Sequence, residues 1–221
     1  GENTELTSTY AETVISASKE SGVSYTLKHF PGYGNNTDTH TGIALDQRTR
    51  EDIIQNDLPP FQAGIKANAE AILISHNTVT SIDDSNPASL SPLVHNLLRG
   101  ELQFTGIIMT DDLEMGAVSQ IEDATLKAVL AGNDLIITTD YEASIQSIKK
   151  ALEEMKKSQK ASDENEKLGF GISGKGAGTD TLEESVNFDN VGTSYPIINW
   201  PLVLKKPIEI VELDWSYQNA Y

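Results

Sequence analysis

Ala71-Ile72-Leu73-Ile74 is an unbroken apolar run that stops abruptly at the polar series Ser75-His76-Asn77-Thr78. A strand with one wet face alternates apolar and polar side chains. An uninterrupted run belongs instead to a strand covered on both faces, as in parallel sheets flanked by helices. Further strand-like runs lie at 23–30, 106–109 and 134–139. Between them the apolar residues fall at helical spacing. Tyr10, Val14 and Ile15 share one face, and Phe61, Ile65 and Ala69 another. Leu93, Val94, Leu97 and Leu98 form a buried stripe, as do Ile145, Ile148, Leu152 and Met155. Strands that alternate with helices imply parallel βαβ units with right-handed crossovers, so the fold class is α/β.

Punctuation sets the expected boundaries. Thr9 and Glu12 have capping-box spacing, as do Ser119 and Glu122. Gly22, Gly100 and Gly132 are expected helix stops, and Pro59-Pro60 an expected break after a helix opened at Thr49. Ser91-Pro92 supplies a capping residue and a proline suited to a first helical turn.

Two stretches put reactive side chains at strand ends, where barrel and open-sheet enzymes hold their chemistry. The first strand leads into Lys28-His29-Phe30-Pro31-Gly32-Tyr33-Gly34, then Asn35-Asn36-Thr37 and Asp38-Thr39-His40. The third runs through Ile108-Met109-Thr110 into Asp111-Asp112-Leu113-Glu114-Met115. Each has an ordinary reading alone: Pro-Gly is common turn punctuation, and an Asp after a strand often caps a helix.

Together the two stretches resemble glycoside hydrolase family 3, in its bacterial β-N-acetylhexosaminidase branch. Residues 28–34 are similar to that branch's Lys-His-Phe-Pro-Gly-His-Gly signature, with Tyr33 in place of the commoner His. Asp38-Thr39-His40 resembles its Asp-Ser-His loop, and residues 108–115 resemble its nucleophile strand. The resemblance implies the second half of a (βα)8 TIM-type barrel at 1–157. A flexible linker is expected at 158–181, and a C-terminal extension at 182–221 with β character around 197–215. It implies a retaining exo-β-N-acetylglucosaminidase acting on cell-wall or related glycans. Asp111 is the implied nucleophile, with Asp112 its alternative. His40 is the implied acid/base, oriented by Asp38, and Lys28, His29 and His76 are expected to bind the sugar. An imidazole titrating near pH 6.5 suits proton transfer near neutrality. The rival readings are a β-glucosidase-like relative, which would lack the Asp-x-His loop, and a non-catalytic carbohydrate-binding remnant or split-barrel piece.

Composition narrows the remaining classes. The 33 acidic residues outnumber the 16 basic ones, for a net charge of −17, which argues against nucleic-acid or anionic-lipid partners. No apolar run is long enough to span a bilayer. The chain has no cysteine, so thiolate chemistry and disulfides are excluded, and no His/Asp/Glu spacing suggests a metal or other cofactor. No signal peptide is visible, and the compartment stays open between bacterial cytoplasm and a secreted or cell-surface location. Four strand-like runs fall short of the roughly eight that close a barrel. The expected partners are therefore a carbohydrate substrate and either another copy of the chain or a missing N-terminal half.

Overall fold

The computed structural model describes residues 3–167. Its centre is a parallel sheet in the order β1-β3-β5, comprising β1 (Thr26–Phe30), β3 (Ala71–Ile74) and β5 (Ile107–Thr110). Every residue of β3 is buried, as the apolar run requires. Ala71 to Ile74 pair in register with Ile107 to Thr110, while the β1 pairing is regular at Thr26 and Leu27 and shifts before Phe30. A separate parallel pair, β2 (Leu45–Asp46) with β4 (Thr78–Val79), has no counterpart in the sequence expectation. Such two-residue strands are too short to show a period.

The fourth expected strand, at 134–139, follows β5 but joins it through a single bridge between Met109 and Leu135. Side chains take ladder positions there. The Asp134 carboxylate accepts the Ile108 N–H at 2.8 Å, and the Thr110 hydroxyl accepts the Ile137 N–H at 2.9 Å. Backbone bonds from Thr110 to Leu135 and from Leu113 to Ile137 still hold the run beside β5.

Several helix boundaries differ from expectation for local reasons. Helix α1 (Thr4–Ser21) starts at Asn3, whose side chain accepts the Leu6 N–H, and ends at Gly22 in the left-handed conformation. Thr9 lies inside it and donates its hydroxyl to the Glu5 carbonyl, a helix-interior bond that replaces the expected cap. Thr49 does make a capping box with Asp52, opening α2 (Arg50–Asp52). A π-turn at Ile53–Asp57 carries the chain into α3 (Leu58–Lys66). That turn places Pro59 and Pro60 in the first turn of α3, where N–H groups need no helical partner, so the prolines do not break the chain direction.

Helix α4 (Pro92–Asn96) is capped by the Ser91 hydroxyl, as expected. It continues as a π-turn, Leu97–Glu101, past Gly100, and Gln103 then takes a positive φ of 54°. Leu93 is 46% exposed, so the buried stripe consists of Val94, Leu97 and Leu98. The capping box expected at Ser119 is replaced by turns, and α5 (Ala124–Ala131) begins after Asp123 and ends at Gly132. Helix α6 (Tyr141–Lys167) runs on past 157, so the expected linker at 158–181 begins as helix. From 168 onward, that linker and the extension at 182–221 lie outside the described residues.

One core cluster joins the sheet to α3 and α4 through Phe30, Phe61, Ile72, Ile74, Val94 and Ile108, with Ile53 and Leu98 from the two π-turns. The Phe30 and Phe61 rings meet edge to face at 5.1 Å. A smaller cluster of Leu90, Leu113, Ala117, Val118 and Ala128 lies beyond the C-terminal end of β5. Ile72 is fully buried. Ile72→Ala should therefore cost about 2–5 kcal/mol of stability, most of it from the cavity left behind. Leu93→Ala should stay within about 0.5 kcal/mol. Urea unfolding of the two variants measures the contrast, and equal losses would refute this assignment of the core.

Candidate active site

Because β1, β3 and β5 run parallel, their C-terminal ends come to the same edge. His29, on β1, brings Nε2 to 3.5 Å from Oδ2 of Asp111, the residue that follows β5. The Asp111 N–H donates to the Ile74 carbonyl at 3.2 Å, which ties the turn to the centre strand. Its other carboxylate oxygen accepts the Asp112 N–H at 3.0 Å. Burial lowers the proton affinity of His29; Asp111 opposes that shift, while Lys28 and His40 add to it. A neutral imidazole is thus favoured beside the Asp111 carboxylate. Lys28 is exposed on the same strand end.

The loop after β1 is organised by Tyr33. Its hydroxyl donates to the Thr37 carbonyl at 3.2 Å and accepts from the N–H and hydroxyl of Thr39, both at 3.0 Å. Thr39 is consequently buried, while the side chains of Asp38 and His40 on either side stand in solvent. Asp38 Oδ1 accepts the His40 N–H at 2.9 Å and lies 2.6 Å from His40 Nδ1. A carboxylate only accepts, so Nδ1 carries the proton. The His40 backbone N–H and then its ring hold the Asp38 carboxyl below the usual range. The two residues expected to act as acid/base and orienter are therefore in direct contact.

His76, the third residue expected to bind the sugar, follows the end of β3. It is 1% exposed, beneath the turn at Asp111-Asp112. Its Nε2–H donates to the Asp112 carbonyl at 3.0 Å, and its Nδ1 accepts the Ser89 hydroxyl at 2.7 Å. Burial lowers its proton affinity, the Asp112 carbonyl opposing. Both nitrogens are hydrogen-bonded within the protein. His95 is buried and its Nδ1–H donates to the Ser91 carbonyl at 2.8 Å.

Sequence reasoning missed an ionic cluster under the loop. Arg48 Nη2 lies 2.6 Å from the buried Asp46 carboxylate, and Nη1 lies 2.6 Å from Asp57. The loop glycines rest on this cluster. A Cβ on Gly32 would fall 2.5 Å from Asp57 Cβ, and one on Gly34 would fall 2.8 Å from Arg48 Cζ. Both glycines also have positive φ, 136° and 56°. The Gly-x-Gly spacing signalled that something approaches closely, but nothing local to it named Arg48, Asp46 or Asp57.

A cavity of about 200 Å³ opens at the other end of the sheet, beside Ile15, Ser18, Ser24 and Glu70, and holds none of these groups. Among the described residues, no group of three His, Asp or Glu side chains is arranged to hold a metal ion.

The profile described as glycosyl hydrolase family 3 N terminal domain matches residues 1–167. A β-hexosaminidase of Stenotrophomonas maltophilia is 44% identical over 98 residues, covering 43% of this chain and 29% of that protein. One from Psychromonas ingrahamii is 36% identical over 148 residues, covering 64% of this chain and 44% of its own length. The solved structure of a family 3 β-N-acetylglucosaminidase from a Paenibacillus species superposes with a TM-score of 0.58 at 31% identity. It covers 62% of this chain and 28% of that one. The chain thus spans less than half the length of each of these relatives.

Burial pushes the Asp46 carboxyl up, but the Arg48 side-chain and backbone bonds outweigh it and leave the group below its usual range. Burial raises Asp57, with Arg48 opposing. A depressed folded-state value stabilises the fold above the unfolded value of about 3.9, and that contribution is lost as pH falls through the folded value. Asp46→Asn should therefore trail the unsubstituted protein by a constant margin from about pH 7 to 5 and close the gap below about pH 4. Denaturant titrations across that range measure it, and a margin unchanged down to pH 3 would refute the Asp46–Arg48 account.

Proposed function

Because the chain belongs to glycosyl hydrolase family 3, we propose that it contributes the catalytic half of a retaining exo-β-N-acetylglucosaminidase. The substrate is a terminal β-linked N-acetylglucosamine on cell-wall or related glycans. The observation that carries this reading is the meeting of two sequence-distant stretches at one sheet edge, His29 beside Asp111, with the Asp38–His40 pair on the loop between β1 and β2.

In this reading the Asp111 carboxylate attacks the anomeric carbon. The glycosidic C–O bond breaks, its electron pair goes to the leaving oxygen, and that oxygen takes the Nε2 proton of His40, which enters the step as imidazolium and leaves it neutral with only Nδ1–H. His40 then removes a proton from water, whose oxygen attacks the anomeric carbon and releases Asp111 as carboxylate. Asp38 holds Nδ1–H and fixes the tautomer, the orienting role of a triad aspartate. Lys28 and His29 address the sugar hydroxyls. His76 acts from below by holding the Asp112 carbonyl, and Asp112 remains the alternative nucleophile.

We assign the three strands and the run beside β5 to the second half of a (βα)8 barrel. An open parallel sheet leaves unpaired edges, whereas a barrel has none. A first half, or another copy of the chain, would cover them and add further sugar contacts. The Asp-x-His loop favours an N-acetylglucosaminidase over a β-glucosidase-like relative. A non-catalytic carbohydrate-binding piece is the remaining reading, and binding of N-acetylglucosamine without turnover by the completed barrel would favour it.

In the completed barrel, Asp111→Asn should abolish turnover of an aryl N-acetylglucosaminide while thermal unfolding stays unchanged. Near-normal rates would remove Asp111 from the mechanism. His40→Ala should slow substrates with reluctant leaving groups by about 100- to 10,000-fold, and activated aryl substrates far less. Equal losses for both would make His40 a binding residue.

A further inference from the structure

The His40 side chain stands in solvent, yet its backbone is held from two sides. On one side is Tyr33, whose hydroxyl bonds the Thr37 carbonyl and the Thr39 N–H. On the other is the segment that follows Asp111. The Gly116 N–H donates to the His40 carbonyl at 3.2 Å, and the Ala117 N–H donates to the Thr39 carbonyl at 3.1 Å.

That segment is itself anchored. The Asp111 N–H is tied to the centre strand through the Ile74 carbonyl, and the Met115 N–H bonds the Asp112 carbonyl at 3.0 Å. Leu113, Ala117 and Val118 are buried in the smaller core cluster. The stretch from Asp111 to Val118 is therefore a platform, and the loop carrying His40 leans on it.

The contact tolerates no side chain. A Cβ on Gly116 would fall 2.8 Å from the His40 carbonyl oxygen, 3.1 Å from the Thr41 carbonyl carbon and 3.2 Å from the Gly42 nitrogen. All of these are backbone atoms, so no flexible side-chain end can swing aside. Gly116 φ is not positive, so alanine meets no backbone penalty of its own and acts only by pushing the 40–42 backbone away.

We infer that Gly116, with Tyr33 on the far side, is a positioning residue that sets where His40 stands relative to Asp111. This rests on the glycosidase reading, in which both groups flank one glycosidic bond. Two-group glycoside hydrolysis depends on that separation, and a misplacement of about 1 Å costs on the order of 100-fold.

The test is Gly116→Ala in the completed barrel, comparing kcat/KM for alkyl and for activated aryl N-acetylglucosaminides. The alkyl substrates should lose roughly 10- to 100-fold and the aryl substrates much less. Hydrogen exchange on the 221-residue chain gives a readout free of activity. The Ala117 amide should lose protection while the Asp111 amide keeps it. If thermal unfolding shows that Gly116→Ala does not fold, Tyr33→Phe decides, with the same selective loss expected. Uniform loss for both leaving groups, or an Ala117 amide as protected as before, overturns the inference. Hydrolysis of neither substrate by the unsubstituted enzyme would overturn the glycosidase reading, and this inference with it. That outcome differs from a defect seen only in the variants.

Discussion

Burial of β3 on both faces is the constraint on which everything else depends. A buried strand must satisfy its backbone groups with neighbouring strands. Here β1 and β5 do so, both parallel to it. Parallel pairing brings the ends of strands far apart in sequence to one edge. The Ser75 N–H continues the pattern by donating to the Phe30 carbonyl, and the Asp111 N–H by donating to the Ile74 carbonyl. Asp111 and His29 are neighbours because of that ladder, and no local feature of either stretch would bring them together.

Above the ladder the site is built from close backbone approaches. Gly32 and Gly34 lie against Asp57 and Arg48, and Gly116 lies against the peptide after His40. Where a Cβ is absent, one segment can settle on another and be fixed by hydrogen bonds and packing. The Asp38 and His40 side chains then stand in solvent on a backbone held by hydrogen bonds. Arg48, held by two carboxylates, is the firm base of the first approach. The platform from Asp111 to Val118 is the base of the second.

The histidines separate by environment. His76 and His95 are buried, each with hydrogen-bonding partners inside the protein, and burial keeps them neutral. His29 is partly buried beside an opposing carboxylate, and burial still prevails. His40 stands in solvent with one nitrogen fixed by Asp38. That pairing of Nδ1 with a carboxylate is what the proposed proton transfer rests on.

The sequence by itself determined the alternation of helix and strand, because period and punctuation are local properties. It also determined that 71–74 is covered on both faces, since that run is apolar throughout, and which residues share the Asp38–His40 loop, since they are adjacent in the chain; that this strand lies at the centre was decided by the sheet. Tertiary structure decided what local pattern cannot encode. The prolines fell inside a helical turn because a π-turn moved the frame by one residue. Thr9 and Ser119 were passed over as caps because hydrogen-bond partners and packing set the helix starts elsewhere. The 134–139 run became a strand in position only, because Asp134 and Thr110 side chains occupied its ladder. The burial of His76 depends on Ser89 and on the Asp112 carbonyl arriving from elsewhere in the chain. The Arg48 cluster was invisible for the same reason: its partners are joined by the loop packing onto them, and that packing exists only once the sheet has formed.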